Sequence, residues 1–299
     1  MSKCNLCPRQ CSTDRENGKY GVCGVSGKNI LVGRAALHFW EEPCISGERG
    51  SGTVFFSGCP LRCVYCQNYQ IASTEAGMEI SEKRLGEIFL ELQEKGAHNI
   101  NLVTPTHYTP EIIRAVGKAK EQGLKIPVVY NCSGYEKVET LKMLRGIVDV
   151  YLTDFKYMER EPAGRYSKAP DYPEIVRAAL EEMVYQTGAA EFDSEGMMKS
   201  GVIVRHLLLP GHVKNARAVV KYVYETYGDQ VYLSLMNQYT PLPQVKKEFP
   251  ELDRRVTRRE YQRLVSYALE IGVENAFIQE GETAEESFIP MFDYEGVMN

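Results

Sequence analysis

From Thr53 onward the chain alternates short apolar, β-branched runs with amphipathic helical stretches, a pattern that fits βα units arranged around a parallel sheet. The spacing predicts strands over 53–57, 99–104, 126–131, 147–154, 201–209, 231–236 and 275–279. Between the first two, Leu85, Ile88, Phe89 and Leu92 share one helical face behind a Ser81 cap, and Gly96 ends the segment. Further helices are expected from Thr109-Pro110 to Gly123, around Val138, Leu141 and Leu144, from about Pro173 to Gln186, and from Asn215 to Tyr227. The last opens with the capping-box spacing Thr257-Arg258-Arg259-Glu260. Six or seven such units are too few to close an eight-fold barrel. The expected fold is therefore α/β, a partial, open βα barrel of about six parallel strands with function at their carboxyl ends. The polar stretches Glu159 to Asp171 and Ala189 to Lys199 read as loops or lids. Residues 1–50 are expected to form a small cysteine-rich, metal-binding appendage, and residues 51–299 the barrel domain.

A chain of 299 residues with 43% hydrophobic content can bury a full core. Its formal charge of −5 puts no basic field on the whole molecule, so nucleic acid is not an expected partner. Residues 1–30 open with Met1-Ser2-Lys3-Cys4 and show no apolar core followed by a cleavage site, and no run of about 18 apolar residues occurs. The expectation is a cytoplasmic protein without a membrane partner. Seven of the nine cysteines crowd into two short clusters, which suits metal in a reducing compartment better than a disulfide framework.

The second cluster is Gly58-Cys59-Pro60-Leu61-Arg62-Cys63-Val64-Tyr65-Cys66, directly after the first strand. Three thiolates on one tight loop can ligate three irons of a four-iron cubane, leaving the fourth open to an exogenous ligand and so to chemistry. A structural zinc loop completed by Cys132 or a histidine is the alternative.

The C-x3-C-x-aromatic-C spacing of Cys59, Cys63, Tyr65 and Cys66 resembles the signature of the radical S-adenosylmethionine (SAM) superfamily. Within it, Phe56-Ser57-Gly58-Cys59-Pro60-Leu61-Arg62-Cys63 followed by Gln67-Asn68 resembles the activating enzymes of pyruvate formate-lyase and other glycyl radical enzymes, over roughly residues 50–240. The resemblance implies a [4Fe-4S] cluster on Cys59, Cys63 and Cys66 whose open iron takes the amino and carboxylate groups of SAM. It further implies an electron that breaks the C5′–S bond, a 5′-deoxyadenosyl radical that abstracts hydrogen, and a reductant such as flavodoxin or ferredoxin. Tyr65 would pack beside cluster and adenine, while the protein binds, orients and shields.

Where these relatives carry a Gly-Gly-Glu segment after the second strand, this chain reads Thr104-Pro105-Thr106-His107-Tyr108. Thr104, Thr106 and His107 are candidate cofactor contacts, against the alternative of a proline-shaped helix start with a solvated histidine. Asn131-Cys132-Ser133-Gly134 stands where relatives carry an Asp-Thr-Asn-Gly-like segment, so Asn131 and Ser133 are candidates too. Cys132 reads as a small buried residue. Asp154-Phe155-Lys156 is similar to the Asp-x-Lys of the activating enzymes, and a charged pair in a strand-end cavity would be costly unless it bound something. Arg205, with His206 beside it, offers a fork of donors for ribose or carboxylate, and strand alternation leaves at most one of the two facing the interior unless the strand is bulged. Met236-Asn237-Gln238 offers amides near the adenine or, alternatively, a solvated turn.

Cys4, Cys7, Cys11 and Cys23, with Pro8, Gly21 and Gly24 shaping turns, supply four thiolates in a segment too short for an apolar core. Four thiols favour a closed structural Zn²⁺, with a second iron-sulfur cluster as runner-up. Cys44 reads as an incidental thiol. The activating-enzyme reading predicts a glycyl radical enzyme as protein substrate. Radical modification of a peptide, small molecule or RNA is the first alternative, and a non-catalytic electron-transfer or iron-sensing protein the second.

Overall fold

The computed structural model describes residues 3–27, 29–243, 245–279 and 290–298. The order of elements is β1 (Ile30–His38), α1 (Pro43–Ser46), β2 (Ser51–Phe56), α2 (Tyr69–Ala72), β3 (Met78–Ile80), α3 (Glu82–Glu94), β4 (Ile100–Val103), α4 (Thr109–Glu121), β5 (Val128–Cys132) and α5 (Val138–Met143). It continues with β6 (Val150–Asp154), α6 (Arg160–Ser167), α7 (Tyr172–Thr187), β7 (Glu191–Phe192), β8 (Met198–Leu207), α8 (Val213–Tyr227), β9 (Tyr232–Met236), α9 (Val245–Glu248), α10 (Arg258–Glu270) and β10 (Ala276–Ile278).

The sheet runs β10-β9-β8-β6-β5-β4-β2-β1-β3. From β2 to β10 all neighbours are parallel, which makes seven parallel strands rather than about six among the described residues. The sheet does not close, because β1 pairs antiparallel with β2 and β3 antiparallel with β1. Residues 30–38, grouped with the appendage on sequence, thus belong to the barrel sheet. Their ILVGRAALH pattern carries too few β-branched residues to announce a strand, but Val32 and Ala35 are buried against it.

Alternation along the strands sets up two layers. One face of each parallel strand packs on the helices: Leu85, Ile88, Phe89 and Leu92 of α3 are buried there, each worth about 1.5–3 kcal/mol of apolar burial. The other face lines the barrel interior, where Val129, Val150, Leu152 and Ile203 join Cys44 and Ile45 in a small cluster at the amino end. Two residues along from Val129, Leu152 and Ile203, and so on the same face, stand Asn131, Asp154 and Arg205. The apolar floor therefore places a polar layer directly above itself.

Both stretches expected to be loops carry regular structure. Pro162 sits in the first turn of α6, where its missing N–H has no intrahelical partner to lose, so 160–167 is helical. The second stretch forms a hairpin of β7 with the start of β8, tied by Asp193 Oδ1, which accepts from the N–H groups of Glu195 and Met197 at 2.9 and 3.0 Å. That hairpin meets the amino end of the sheet and is no lid over the strand carboxyl ends. No described helix is long and apolar enough to cross a membrane.

Candidate functional site

At the carboxyl ends of the parallel strands lies a cleft of ≈ 210 Å³. Its lining includes Cys59, Cys63 and Cys66, together with Tyr65, Thr104, Asn131, Ser133, Asp154, Lys156 and Arg205. Strand β2 ends at Phe56, and Gly58, at φ +91°, turns the chain so that the three thiols follow on one loop. A Cβ at Gly58 would stand 2.9 Å from the Cys23 carbonyl oxygen, so only glycine fits there.

Burial pushes the Cys59 thiol up to about 11 and the Cys66 thiol up to about 12, with the Lys156 ammonium acting in the opposite direction on both. Thiols held this way keep their protons unless a cation replaces them. Their backbone supplies sulfur-directed donors, the N–H of Leu61 and Arg62 for Cys59 and of Asn68 for Cys66. Ser167 Oγ donates to Cys63 Sγ at 3.1 Å. Behind it, the Tyr157 hydroxyl lies 2.8 Å from Ser167 Oγ and 2.7 Å from the Tyr65 hydroxyl, so Tyr65 is fixed by the same chain of hydroxyls that reaches the sulfur. Donors aimed at sulfur, a dry wall and a cation nearby suit a thiolate-bound iron-sulfur cluster.

Arg9 holds the loop from outside. Its Nε donates to the Pro60 carbonyl at 2.8 Å, and its Nη2 to the carbonyls of Leu61 and Ser167 at 3.2 and 2.7 Å. Nη1 donates to Lys168 O.

The polar layer of the barrel forms one connected network. Arg205 bonds Asn131 Oδ1 at 2.6 Å, Glu41 Oε2 at 3.0 Å and Asp154 Oδ1 at 3.3 Å. Lys156 Nζ lies 2.7 Å from Asp154 Oδ2. Burial alone would raise the Asp154 carboxyl, but Lys156 and Arg205 outweigh it and hold the group below its ordinary value. Burial works against the charge on Lys156 and Arg205, but Asp154, joined at Arg205 by Glu41 and Glu42, outweighs it and raises both, so both stay charged. Glu42 is fully buried and pushed up by that burial. As the alternation of β8 requires, His206 points away, with its Nδ1 2.7 Å from the Phe155 carbonyl.

Thr106 and His107, expected as cofactor contacts, do not reach the cleft. The 3-10 turn Thr106–Tyr108 rotates both into the core, where Thr106 donates to Glu136 Oε1 at 2.7 Å and His107 Nε2 donates to the Ser57 carbonyl at 2.8 Å. Burial lowers His107 to about 3, so it is a neutral brace behind the thiolate loop. Thr104, at φ +58°, is the one residue of that trio in the lining. Cys132 is buried, as expected, with its thiol turned to Thr153 Oγ1 at 3.5 Å, and it too lines the cleft.

Sequence reasoning missed Ser167, Tyr157, Arg9 and Glu41. Glu41 follows the antiparallel β1 and enters the barrel from the amino end, accepting from Asn101 and Asn131 at 3.0 and 3.1 Å. The only signal for it was an acidic pair beside Pro43.

A family model described as the radical SAM superfamily matches residues 53–212, more than half of the chain. An uncharacterized protein of Methanocaldococcus jannaschii is 29% identical over 277 residues, covering 90% of this chain and 75% of that relative. Among solved structures, HydG, a maturase of the [FeFe]-hydrogenase, matches 79% of this chain and 54% of its own at a TM-score of 0.51 and 14% identity. Streptococcus suis SuiB bound to S-adenosylmethionine matches 74% of this chain and 48% of its own at 0.49 and 12%. The chain spans about half the length of these solved structures, and the likeness to HydG is one of fold. With the matched segment beginning in β2 and enclosing the three-thiol loop and the polar layer, the chain belongs to the radical SAM superfamily.

Proposed function

We propose that this chain cleaves S-adenosylmethionine reductively at Cys59, Cys63 and Cys66 and spends the resulting radical on a glycine of a partner polypeptide, as an activating enzyme for a glycyl radical enzyme. Family membership implies a [4Fe-4S] cluster and SAM. When bound, the cluster supplies an open iron for the amino and carboxylate groups of SAM and the electron that breaks its C5′–S bond.

The chain's own residues do the rest. Lys156 and Arg205 are kept charged, and their donors face the cleft beside the thiols, where they suit a carboxylate and ribose hydroxyls. Asp154 and Glu41 balance them, so the wall matches a zwitterion rather than a simple anion. Tyr65 closes the site beside the sulfurs. Exposed Trp40 lines the cleft and exposed Tyr69 follows the thiolate loop, apolar surface suited to a polypeptide more than to a small polar molecule.

The observation that carries the reading is the convergence of the three thiols with the Asp154, Lys156 and Arg205 layer in one cleft. The test is anaerobic incubation with dithionite and SAM, which should release 5′-deoxyadenosine, and release should vanish in Cys63→Ala. Adding a glycyl radical enzyme from the same organism should then produce a glycyl radical EPR doublet. Release without a doublet on any such partner rejects the activating-enzyme assignment and leaves another hydrogen donor. No release rejects SAM cleavage.

A further inference from the structure

Helices α8 and α10 carry their charge at the wrong ends. A helix dipole favours carboxylates in the first turn and cations in the last. α8 has no acidic residue in its first turn and no basic residue in its last, yet Lys214 and Arg217 stand among its first five residues. α10 opens with Arg258 and Arg259 and adds Arg263, again with no basic residue in its last turn. Helix stability does not account for this placement.

The misplaced cations face one another. Between the two helices lies a cleft of ≈ 570 Å³. Its charged lining among the described residues is Lys214, Arg217, Arg259 and Arg263 against Glu270, four cations to one carboxylate. The whole chain carries a formal charge of −5, so the cleft reverses the sign of the molecule. All four cations are exposed. Lys214 Nζ lies 3.5 Å from Glu159 Oε1, and the Arg217 guanidinium sits 4.0 Å over the centre of the Tyr267 ring, a platform that holds it in place.

This cleft is joined to the thiolate loop. His212 immediately precedes α8, and its Nε2 lies 3.0 Å from the Tyr166 hydroxyl. The rings of His212 and Tyr166 meet edge to face at 5.4 Å, and those of Tyr166 and Tyr65 at 6.4 Å. The Val64 N–H, inside the loop between Cys63 and Cys66, donates to the Tyr166 carbonyl at 2.9 Å. The Gly211 N–H donates to Glu260 Oε1 at 2.7 Å, which ties the entrance of α8 to the first turn of α10. An electron arriving at the cleft therefore has a bonded and ring-to-ring route to the sulfurs.

Charge selects the occupant. A polyanion such as RNA needs a basic track several phosphates long. Here it would run onto Glu159, Glu161 and Glu251, the carboxylates around His212. A compact acidic protein can seat one patch of charge on the four cations and still lie beside His212. In the proposed function SAM and the hydrogen donor take up the strand-end cleft, so a reductant needs a second face.

We propose that the cleft between α8 and α10 docks an acidic one-electron carrier protein, of the flavodoxin or ferredoxin class, which delivers its electron toward Cys63 and Cys66 through His212, Tyr166 and Tyr65. One electron leaves the carrier and one enters the site at the three thiols. The rings bridge without changing oxidation state, no bond forms or breaks, and no proton moves. The acceptor rests on the SAM-cleaving reading, whereas the docking does not.

The test is anaerobic titration calorimetry of the full chain with a flavodoxin and a ferredoxin as probes. At least one should bind, more weakly as salt is raised. Arg259→Glu/Arg263→Glu should weaken that binding about tenfold or more without loss of thermal stability, since carboxylates suit the start of α10. Lys214→Glu/Arg217→Glu on α8 should give the same loss, and decides should the first variant fold poorly. Carrier-driven release of 5′-deoxyadenosine should fall by a similar factor, while dithionite, which needs no dock, supports the native rate. Unchanged affinity in the variants, or no binding of either carrier to the native chain, overturns the proposal. So does a short single-stranded RNA that binds the native chain more tightly than the carriers and is lost in the variants. His212→Leu should slow carrier-driven bleaching of the visible absorbance several-fold at native affinity, and an unchanged rate overturns the route through the rings. Should dithionite and SAM yield no 5′-deoxyadenosine, SAM cleavage fails, and the calorimetry still decides the docking.

Discussion

The Ser167 hydroxyl is the smallest group with a readable effect on the site, because it donates to a sulfur rather than to oxygen. A hydrogen bond of about 1 kcal/mol that favours the more negative, reduced state raises a one-electron potential by about 40 mV. Ser167→Ala should therefore lower the midpoint potential of a cluster on Cys59, Cys63 and Cys66 by about that much in an EPR-monitored redox titration, with the iron content unchanged. An unchanged midpoint would show that the hydroxyl merely packs. Glu136 works through protons instead. Burial pushes its carboxyl up to about 8, offset in part by the Thr106 hydroxyl, and its Oε2 has no hydrogen-bond partner. A folded-state value above the unfolded one means the native protein binds a proton that the unfolded chain releases, so stability falls as pH rises from about 4.5 to about 8. Denaturant unfolding should show the native protein losing up to roughly 4 kcal/mol relative to Glu136→Gln between pH 5 and pH 8. Parallel curves for the two proteins would contradict the assignment.

Gly134 shows how elements depend on a close approach. At φ +74° it carries the chain from β5 toward α5, and a Cβ there would lie 2.3 Å from the Asp154 carbonyl oxygen at the end of β6. Gly134→Ala should cost roughly 2 kcal/mol or more, from left-handed backbone and from pushing the two strand ends apart. It should also weaken SAM binding through Asp154 and Lys156, measured by titration calorimetry; a stable variant with native affinity would mean the ends move freely.

The parallel strands were legible because each is a buried β-branched run between turn signals, as in Val128–Cys132 and Val150–Asp154. Alternation also separated Arg205 from His206 without tertiary knowledge, but it left open which of the two faces inward. What escaped was decided by contacts distant in sequence. β1 earns its pairing only once β2 is present, α6 hides behind Pro162 and Gly164, and the inward turn of His107 depends on the Ser57 carbonyl. The polar stretch 159–171 lies at the cleft, but as a helix whose last residue donates to the Cys63 sulfur.

At the scale of the whole molecule, Arg9 bridges three regions that are far apart in the chain, across separations of 51 to 159 residues. Closing so long a loop costs entropy that only the finished contacts with the sheet end and α6 repay. In the folded chain the guanidinium acts as a latch over the loop that carries Cys59, Cys63 and Cys66. Arg9→Ala should load a cluster on Cys59, Cys63 and Cys66 as fully as the native protein yet bleach several-fold faster in air, followed by visible absorbance. The same arginine would then govern how long the finished enzyme survives oxygen, a property set by the fold and not by the chemistry it performs.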